Sequence, residues 1–254
     1  MALELFNNGK HKCVVFTDLV QGEGVQANQF LIVDEGVGML LDPGGNLTYK
    51  NLLAEMANHF LPAKTQYIFA SHQDPDIIAS ANGWLLITNA KILIAQEWAR
   101  FLPHFCSKGV TTGRIVIIPP HGMNVILGNS NLKIIPAHFL HTVGFFQIYD
   151  PISKILFSGD VGASLVEDAS LTVQDFDQHL INGHMENFHR RYMCNNKACR
   201  LWVQMVRQLD IEWIVPQHGM SFKGKLMIQR FLEWLENLVC GTDLLSAADY
   251  QIPE

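Results

Sequence analysis

Charge is scarce in this chain and leans negative. There are 24 acidic against 18 basic residues in 254, a net charge of −6 with the histidines neutral. No cluster of lysine or arginine offsets that balance, and the short basic pair Arg190-Arg191 reads as a solvated patch. A nucleic-acid surface is not expected. No apolar run approaches the ~20 residues that a membrane-spanning helix needs. The cysteines are odd in number (Cys13, Cys106, Cys194, Cys199 and Cys240) and form no C-x-x-C pair. Neither a disulfide framework nor a zinc knuckle is suggested, and reduced thiols in a cytoplasmic protein are the expectation. The N-terminus, Met-Ala-Leu-Glu-Leu-Phe-Asn-Asn-Gly, lacks a basic segment followed by an apolar one, so no signal peptide is expected. Repeats, low-complexity segments and linkers are also missing, which points to one domain over residues 1–254. Hydrophobic residues make up 48%, enough for a sizeable core.

What is present concentrates in one stretch, Ala70 to Ser80, reading A-S-H-Q-D-P-D-I-I-A-S. Tyr67-Ile68-Phe69-Ala70 before it has the character of a buried strand. His72, Asp74 and Asp76 follow at once, three groups that bind hard or borderline metals. Pro75 disfavours helix at Asp74, so a stiff loop is expected. If that loop is extended, side chains at i, i+2 and i+4 project to one side. It then offers an imidazole and two carboxylates to one point, half of a two-metal site.

The rest of the chain alternates short strands with helices. Residues 12–20, about 26–33 and 38–42 read as three strands of an antiparallel meander. Leu52, Leu53, Met56, Ala57 and Phe60 recur at helical spacing over 47–60. After the loop, 76–89 and 96–105 read as helices on either side of a strand at Lys91–Ala95. Further strands are expected at 115–119, 124–127, 132–136, 144–149, 154–158 and 212–215, with helices over 196–209 and 224–239. Helices must cover both faces of this much apolar strand. The expected fold is α/β: two mixed sheets face to face, helices outside each, and the site at one rim. Strand followed by ligand occurs three more times, at His138-Phe139-Leu140-His141, at Gly159-Asp160 and at Gln217-His218-Gly219. With His72, Asp74 and Asp76 this makes three histidines and three aspartates, with His138 and His141 as alternatives.

A strand-end H-x-[HED]-x-D loop, a downstream histidine, an S-G-D aspartate and a late H-G together resemble the metallo-β-lactamase superfamily. The resemblance covers essentially the whole chain and implies its four-layer αββα sandwich. The zinc hydrolases of that superfamily carry H-x-H-x-D-H, whereas this chain has Asp74 in the middle and Ile77 at the end. A middle carboxylate resembles the flavodiiron proteins, whose loop is H-x-E-x-D. Phe139-Leu140-His141-Thr142 is similar to their Leu-His-Trp segment, and His141 lies at their spacing, 19 residues before Asp160. The resemblance therefore selects His141. It implies two iron ions with an oxide, hydroxide or peroxide bridge. His72, Asp74 and His141 would hold one iron, Asp76 and His218 the other, and Asp160 both. Asp74 is one methylene shorter than the family's Glu.

Two further expectations come from the same resemblance. This chain ends 36 residues after His218, too few for the flavodoxin-like domain of the flavodiiron proteins, so no FMN is expected. It resembles instead the stand-alone oxygen-binding di-iron proteins, in which H-Q-D-P-D-I occurs. The implied function is O₂ binding for sensing. One alternative is an O₂ or NO reductase fed by a separate flavoprotein or rubredoxin; a second is a di-zinc hydrolase. A homodimer and a separate signalling partner are implied by analogy. His138, His184, His189 and Tyr192 are candidates for the pocket or for support of the ligands. His11, His59, His104, His121 and His179 read as packed or solvated, and Leu226, Ile228, Phe231, Leu232 and Leu235 as the buried face of a late helix.

Overall fold

Side chains along the strands alternate between two neighbourhoods, and that alternation defines the layers. The computed structural model describes residues 1–166, 172–181 and 185–253. A first sheet has seven strands in sequence order: β1 (Ala2–Asn7), β2 (His11–Phe16), β3 (Gln29–Asp34), β4 (Val37–Leu41), β5 (Thr65–Phe69), β6 (Lys91–Ala95) and β7 (Ile115–Ile118). The first four pair antiparallel, and β4 to β7 pair parallel. The second sheet runs β13-β12-β11-β10-β9-β8, built from β8 (Met123–Leu127), β9 (Ser130–Pro136), β10 (Phe146–Asp150), β11 (Ile155–Gly159), β12 (Trp213–Pro216) and β13 (Phe222–Lys223). Within it only β11 and β12 pair parallel.

Cys13, Val15, Phe30, Ile32, Met39 and Leu41 point inward and meet Phe146, Ile148, Ile155, Phe157 and Val215 of the other sheet. Their neighbours Val14, Phe16, Leu31, Leu40, Ile68 and Ile92 point outward, under α1 (Tyr49–Ala57), α2 (Pro75–Ile78), α3 (Ala81–Ile87) and α4 (Gln96–Ala99). On the far side, Tyr149, Leu156 and Ile214 lie under α5 (Phe176–Ile181), α6 (Glu186–Tyr192), α7 (Asn196–Val206) and α8 (Lys225–Glu236). Period-2 burial on both faces thus produces the four layers, helix, sheet, sheet, helix. Each fully buried Leu, Ile or Phe is worth roughly 1.5–3 kcal/mol in water removed from its side chain. On α8, Ile228, Phe231, Leu232 and Leu235 are buried as the spacing implied, whereas Leu226 is largely exposed.

Three local expectations change. β1 had no reading in the sequence; it is an edge strand whose residues are largely exposed or half-buried. The helix expected over 76–89 is two, because Ser80 breaks it: its N–H donates to the Gly44 carbonyl and its hydroxyl to Pro43. The helix expected over 96–105 is the single turn α4 followed by a 3-10 turn, Leu102–Phe105, with Pro103 in it.

The two rims of the sandwich are chemically different. At one rim His11, at the start of β2, sits in a buried polar knot. Its Nδ1 is 2.9 Å from Asp34 Oδ1 and 3.1 Å from Ser130 Oγ, and its Nε2 is 2.8 Å from Asp150 Oδ2. Asp34 ends β3 in the first sheet, while Asp150 ends β10 and Ser130 begins β9 in the second. Asp34 also accepts the N–H groups of Asn129 and Ser130. The opposite rim, reached by β5, β9, β11 and β12 at their C-terminal ends, carries the candidate ligands.

Candidate metal centre

Each candidate side chain leaves the end of a buried strand. β5 runs into His72, Asp74 and Asp76, but the loop is not extended throughout. Asp74 is extended and caps α2, Pro75 begins that helix, and Asp76 lies in its first turn. The turn separates the two carboxylates instead of aligning them. Asp74 Oδ2 lies 3.4 Å from His72 Nε2 and 2.9 Å from His141 Nε2, whereas Asp76 Oδ2 lies 3.3 Å from His218 Nε2. Asp160 stands between the halves. Its Oδ2 is 3.6 Å from His72 Nε2 and 3.7 Å from His141 Nε2, and its Oδ1 is 3.6 Å from His218 Nε2. The donor atoms of His72, Asp74, His141 and Asp160 lie within 4.8 Å of one another.

Two tight glycines explain the S-G-D and H-G signatures. A Cβ on Gly159 would meet the Phe145 ring at 2.6 Å, and one on Gly219 would meet Ser164 Oγ at 2.1 Å. Both have positive φ, +54° and +76°, so each turns the chain where an L side chain is strained. His141 itself has φ 102° and Phe139 φ 65°, strain of about 1–3 kcal/mol each. The loop is held in that shape from outside: Phe139 N–H donates to Thr142 O, Cys194 N–H donates to Phe139 O, and Leu140 bridges to Met193.

The electrostatics of the site favour positive charge. His218 Nδ1 donates to the Gln26 carbonyl at 2.8 Å, which leaves a neutral ring with its Nε2 lone pair aimed at Asp76 and Asp160. Two acceptors face one another across 3.3–3.6 Å, and only a proton or a metal ion can lie between them. With a proton there, burial works against the imidazolium but Asp76 and Asp160 prevail, and the His218 pKa rises to about 9. His72 is raised too: Asp160 and Asp74 outweigh its burial. Burial likewise opposes the charge on Asp74 and Asp76, but the histidines hold both below the usual carboxylate range. Asp160 Oδ1 is buried with no hydrogen-bond donor among the described residues. An orphaned carboxylate oxygen, three convergent imidazoles and three carboxylates fit a pair of divalent ions, with Asp160 facing both positions. Ile77, where a zinc hydrolase would have a further histidine, is fully buried in the outer core and offers no donor.

Several supports have no signature in the sequence. Asp42 accepts the Ser71 N–H at 2.8 Å beneath His72, and its burial pushes its carboxyl up to about 6. Asn28 donates to the carbonyls of Pro216 and Gly219, clamping the His218 turn. Asp42-Pro43-Gly44 reads as a strand stop and Asn28 as a strand residue, so neither has a local signal of its role. Above the ligand candidates lies a cavity of about 590 Å³, walled by Val20, Val25, Leu47, Leu165, Phe188 and Tyr192.

The remaining candidates divide. Tyr192 is on the cavity wall, its ring 5.4 Å from that of His141. His189 is buried on α6; its Nδ1 donates to Met185 O and its Nε2 accepts the Gly162 N–H, two residues beyond Asp160. Burial pushes its pKa down to about 4, so it is neutral. His138 does not face the cluster: its Nε2 donates to the Pro120 carbonyl and its ring lies against Phe146. The strand-end position that suggested it carries the ring to the wall of a different cavity. His184 lies outside the described residues.

Fold and site together define a metallo-β-lactamase-like protein with a carboxylate-rich candidate cation site. The chain belongs to the ODP family of beta-lactamase proteins, whose model matches residues 25–219. It is 41% identical to the chemotaxis sensor ODP from T. denticola in its apo state, with 96% of this chain and 97% of that chain covered and a TM-score of 0.85. A structure described as a peroxy di-iron species of the chemotaxis sensor ODP aligns with the same figures. Rubredoxin oxygen:oxidoreductase from Desulfovibrio gigas shares the fold at 17% identity, with 93% of this chain and 62% of that chain covered and a TM-score of 0.78. An uncharacterized protein of Methanocaldococcus jannaschii is 24% identical over 216 residues, 84% of this chain and 54% of its own length. The chain spans about half the length of the curated relatives it matches. Among the described residues no helix is long and apolar enough to cross a membrane.

Proposed function

We propose that this protein binds dioxygen at a pair of iron ions and acts as an oxygen sensor. One observation carries the reading: Asp160 turns one oxygen toward His72 and His141 and the other toward His218, with an acidic partner, Asp74 or Asp76, on each side. On this reading His72, Asp74 and His141 would hold one ion and Asp76 and His218 the other, with Asp160 facing both positions. A ferrous pair supplies electrons and open positions for a diatomic gas. The three carboxylates bring a charge of −3 against +4, which favours hard iron over zinc and tolerates oxidation. The Gln26 carbonyl orients His218, and the apolar cavity wall keeps water sparse while admitting a small neutral ligand. Identity of 41% with a chemotaxis sensor supports sensing over multi-turnover reduction. The same reading has the chain working in the cytoplasm as a homodimer that signals to, or draws electrons from, a separate protein.

Anaerobic protein loaded with ferrous iron and then mixed with O₂ tests this. A coloured species that persists for many minutes is the expected result. Rapid, repeated O₂ consumption with a supplied reductant would support a reductase instead, and stoichiometric zinc with ester hydrolysis would overturn the iron assignment.

A further inference from the structure

Away from the site, two fully buried cysteines meet where α7 crosses the segment after α8. Cys199 Sγ and Cys240 Sγ are 3.8 Å apart, thiol against thiol, with a sequence separation of 41. We propose that Cys199 and Cys240 form a redox-active dithiol that closes reversibly to a disulfide on reaction with a small-molecule disulfide.

The two sulfurs are not equivalent. The two thiols share one hydrogen bond, and they differ in what lies beside them: Cys199 is within α7, Cys240 in the segment after α8. Cys240, beside exposed Val239 and the exposed turn from Thr242, is the thiol that a small disulfide reaches first, and it attacks as the thiolate. Its Sγ bonds to one sulfur of the small disulfide and one small thiolate leaves. Cys199 then loses its proton to solvent, attacks Cys240 Sγ, and releases the second small thiolate. Two protein thiols are oxidised and one small disulfide is reduced to two thiols.

The backbone already holds the pair in place. Asn196 Nδ2 donates to the carbonyls of Glu236 and Leu238, Asn196 N–H donates to Asp243, and Thr242 donates through both N–H and hydroxyl to Cys194 O. Access comes from the tail side, since Cys240 sits between buried Leu238 and a largely exposed turn from Thr242 onward. Segments of that kind open locally at much less cost than a core strand. The other cysteines make a contrast. Cys13 donates to Asp150 in the far-rim knot, and burial pushes its thiol well up, so it is unreactive. Cys106 and Cys194 are half-buried free thiols.

Iron-loaded protein incubated with cystamine, then denatured, alkylated with N-ethylmaleimide and mapped by mass spectrometry, decides the matter. The expected product joins the peptides of Cys199 and Cys240, lighter by two hydrogens, and dithiothreitol reverses it. Cys106 and Cys194 should carry only the small thiol or the maleimide. The oxidised form should also unfold several degrees higher, since the bond closes a long loop, and a Cys199→Ala/Cys240→Ala variant should show no such rise. Recovery of Cys199 and Cys240 as alkylated or mixed-disulfide peptides, while Cys194 has reacted, would overturn the proposal.

Discussion

At the scale of single residues, the site asks most of Asp160. Its Oδ1 lacks a hydrogen-bond donor among the described residues, so Asp160→Asn should leave the metal-free fold intact. Metal content after reconstitution should nonetheless fall at both positions, with affinity down by more than about 100-fold, beyond the usual cost of losing a supporting residue. Elemental analysis of metal per chain checks this. The same measurement separates the two histidines of the F-L-H segment. His141→Ala should lose metal, and His138→Ala, which removes a hydrogen bond to Pro120 and a ring contact with Phe146 away from the cluster, should not. Gly219→Ala places a Cβ against Ser164 and should displace His218, lowering metal content while secondary structure by circular dichroism persists. His72, Asp74, Asp160 and His218 stand out as candidates in the sequence because each lies just past a buried strand. Position leaves His138 and His141 as alternatives until the resemblance selects His141, and Asp76 is reached through an extended loop that is a helical turn in the structure. Asp42 and Asn28 do not stand out, because their partners Ser71, Pro216 and Gly219 are distant in sequence and nothing local marks the contact.

At the scale of elements, the far-rim knot ties β2 and β3 to β9 and β10. His11 alone reads as an ordinary packed histidine, and its partners lie 23, 119 and 139 residues away. No sequence periodicity reports such a tie. Burial opposes protonation of His11, but Asp150 and Asp34 raise its pKa above the ordinary value of about 6.5. Its contribution is complete below that value and is lost as pH rises through the raised one. Burial opposes ionisation of Asp34 and Asp150, but the hydrogen bonds and charge of His11, with the donors Asn129 and Ser130 at Asp34 and Ser153 and Ile152 at Asp150, together outweigh it and both are lowered. Their contribution is complete above about pH 3.9 and is lost as pH falls through the lowered values. His11→Gln should therefore destabilise most between those limits, by about 3–5 kcal/mol, as buried carboxylates lose their counter-charge. Urea unfolding at a series of pH values measures it. Helix ends were less legible than strands: Ser80 and Pro103 interrupt continuous helical patterns through contacts or ring geometry that periodicity does not register.

At the scale of the whole molecule, the four layers were readable because both sheets bury both faces, with apolar strands at nearly every turn of the chain. Candidate ligands come from both sheets, so a bound ion couples them and stabilises the folded state by mass action. At free metal near 100 times the dissociation constant the gain is about 2.7 kcal/mol, and a chelator should lower the thermal midpoint accordingly. Metal loss would remove one tie at the near rim, leaving there the hydrogen bonds of Asn28 and Gln26 to the His218 turn and of Phe146 to Ser71. The His11 knot fastens the far rim with or without metal, so any loosening on metal loss is expected first at the site's rim, as in a clasp released at its catch. Hydrogen exchange after chelation should rise at 71–76, 138–145, 160–164 and 216–219 and stay unchanged at 11–15 and 148–150. Whatever reads the state of this site from outside would then be reading the gap between two sheet ends.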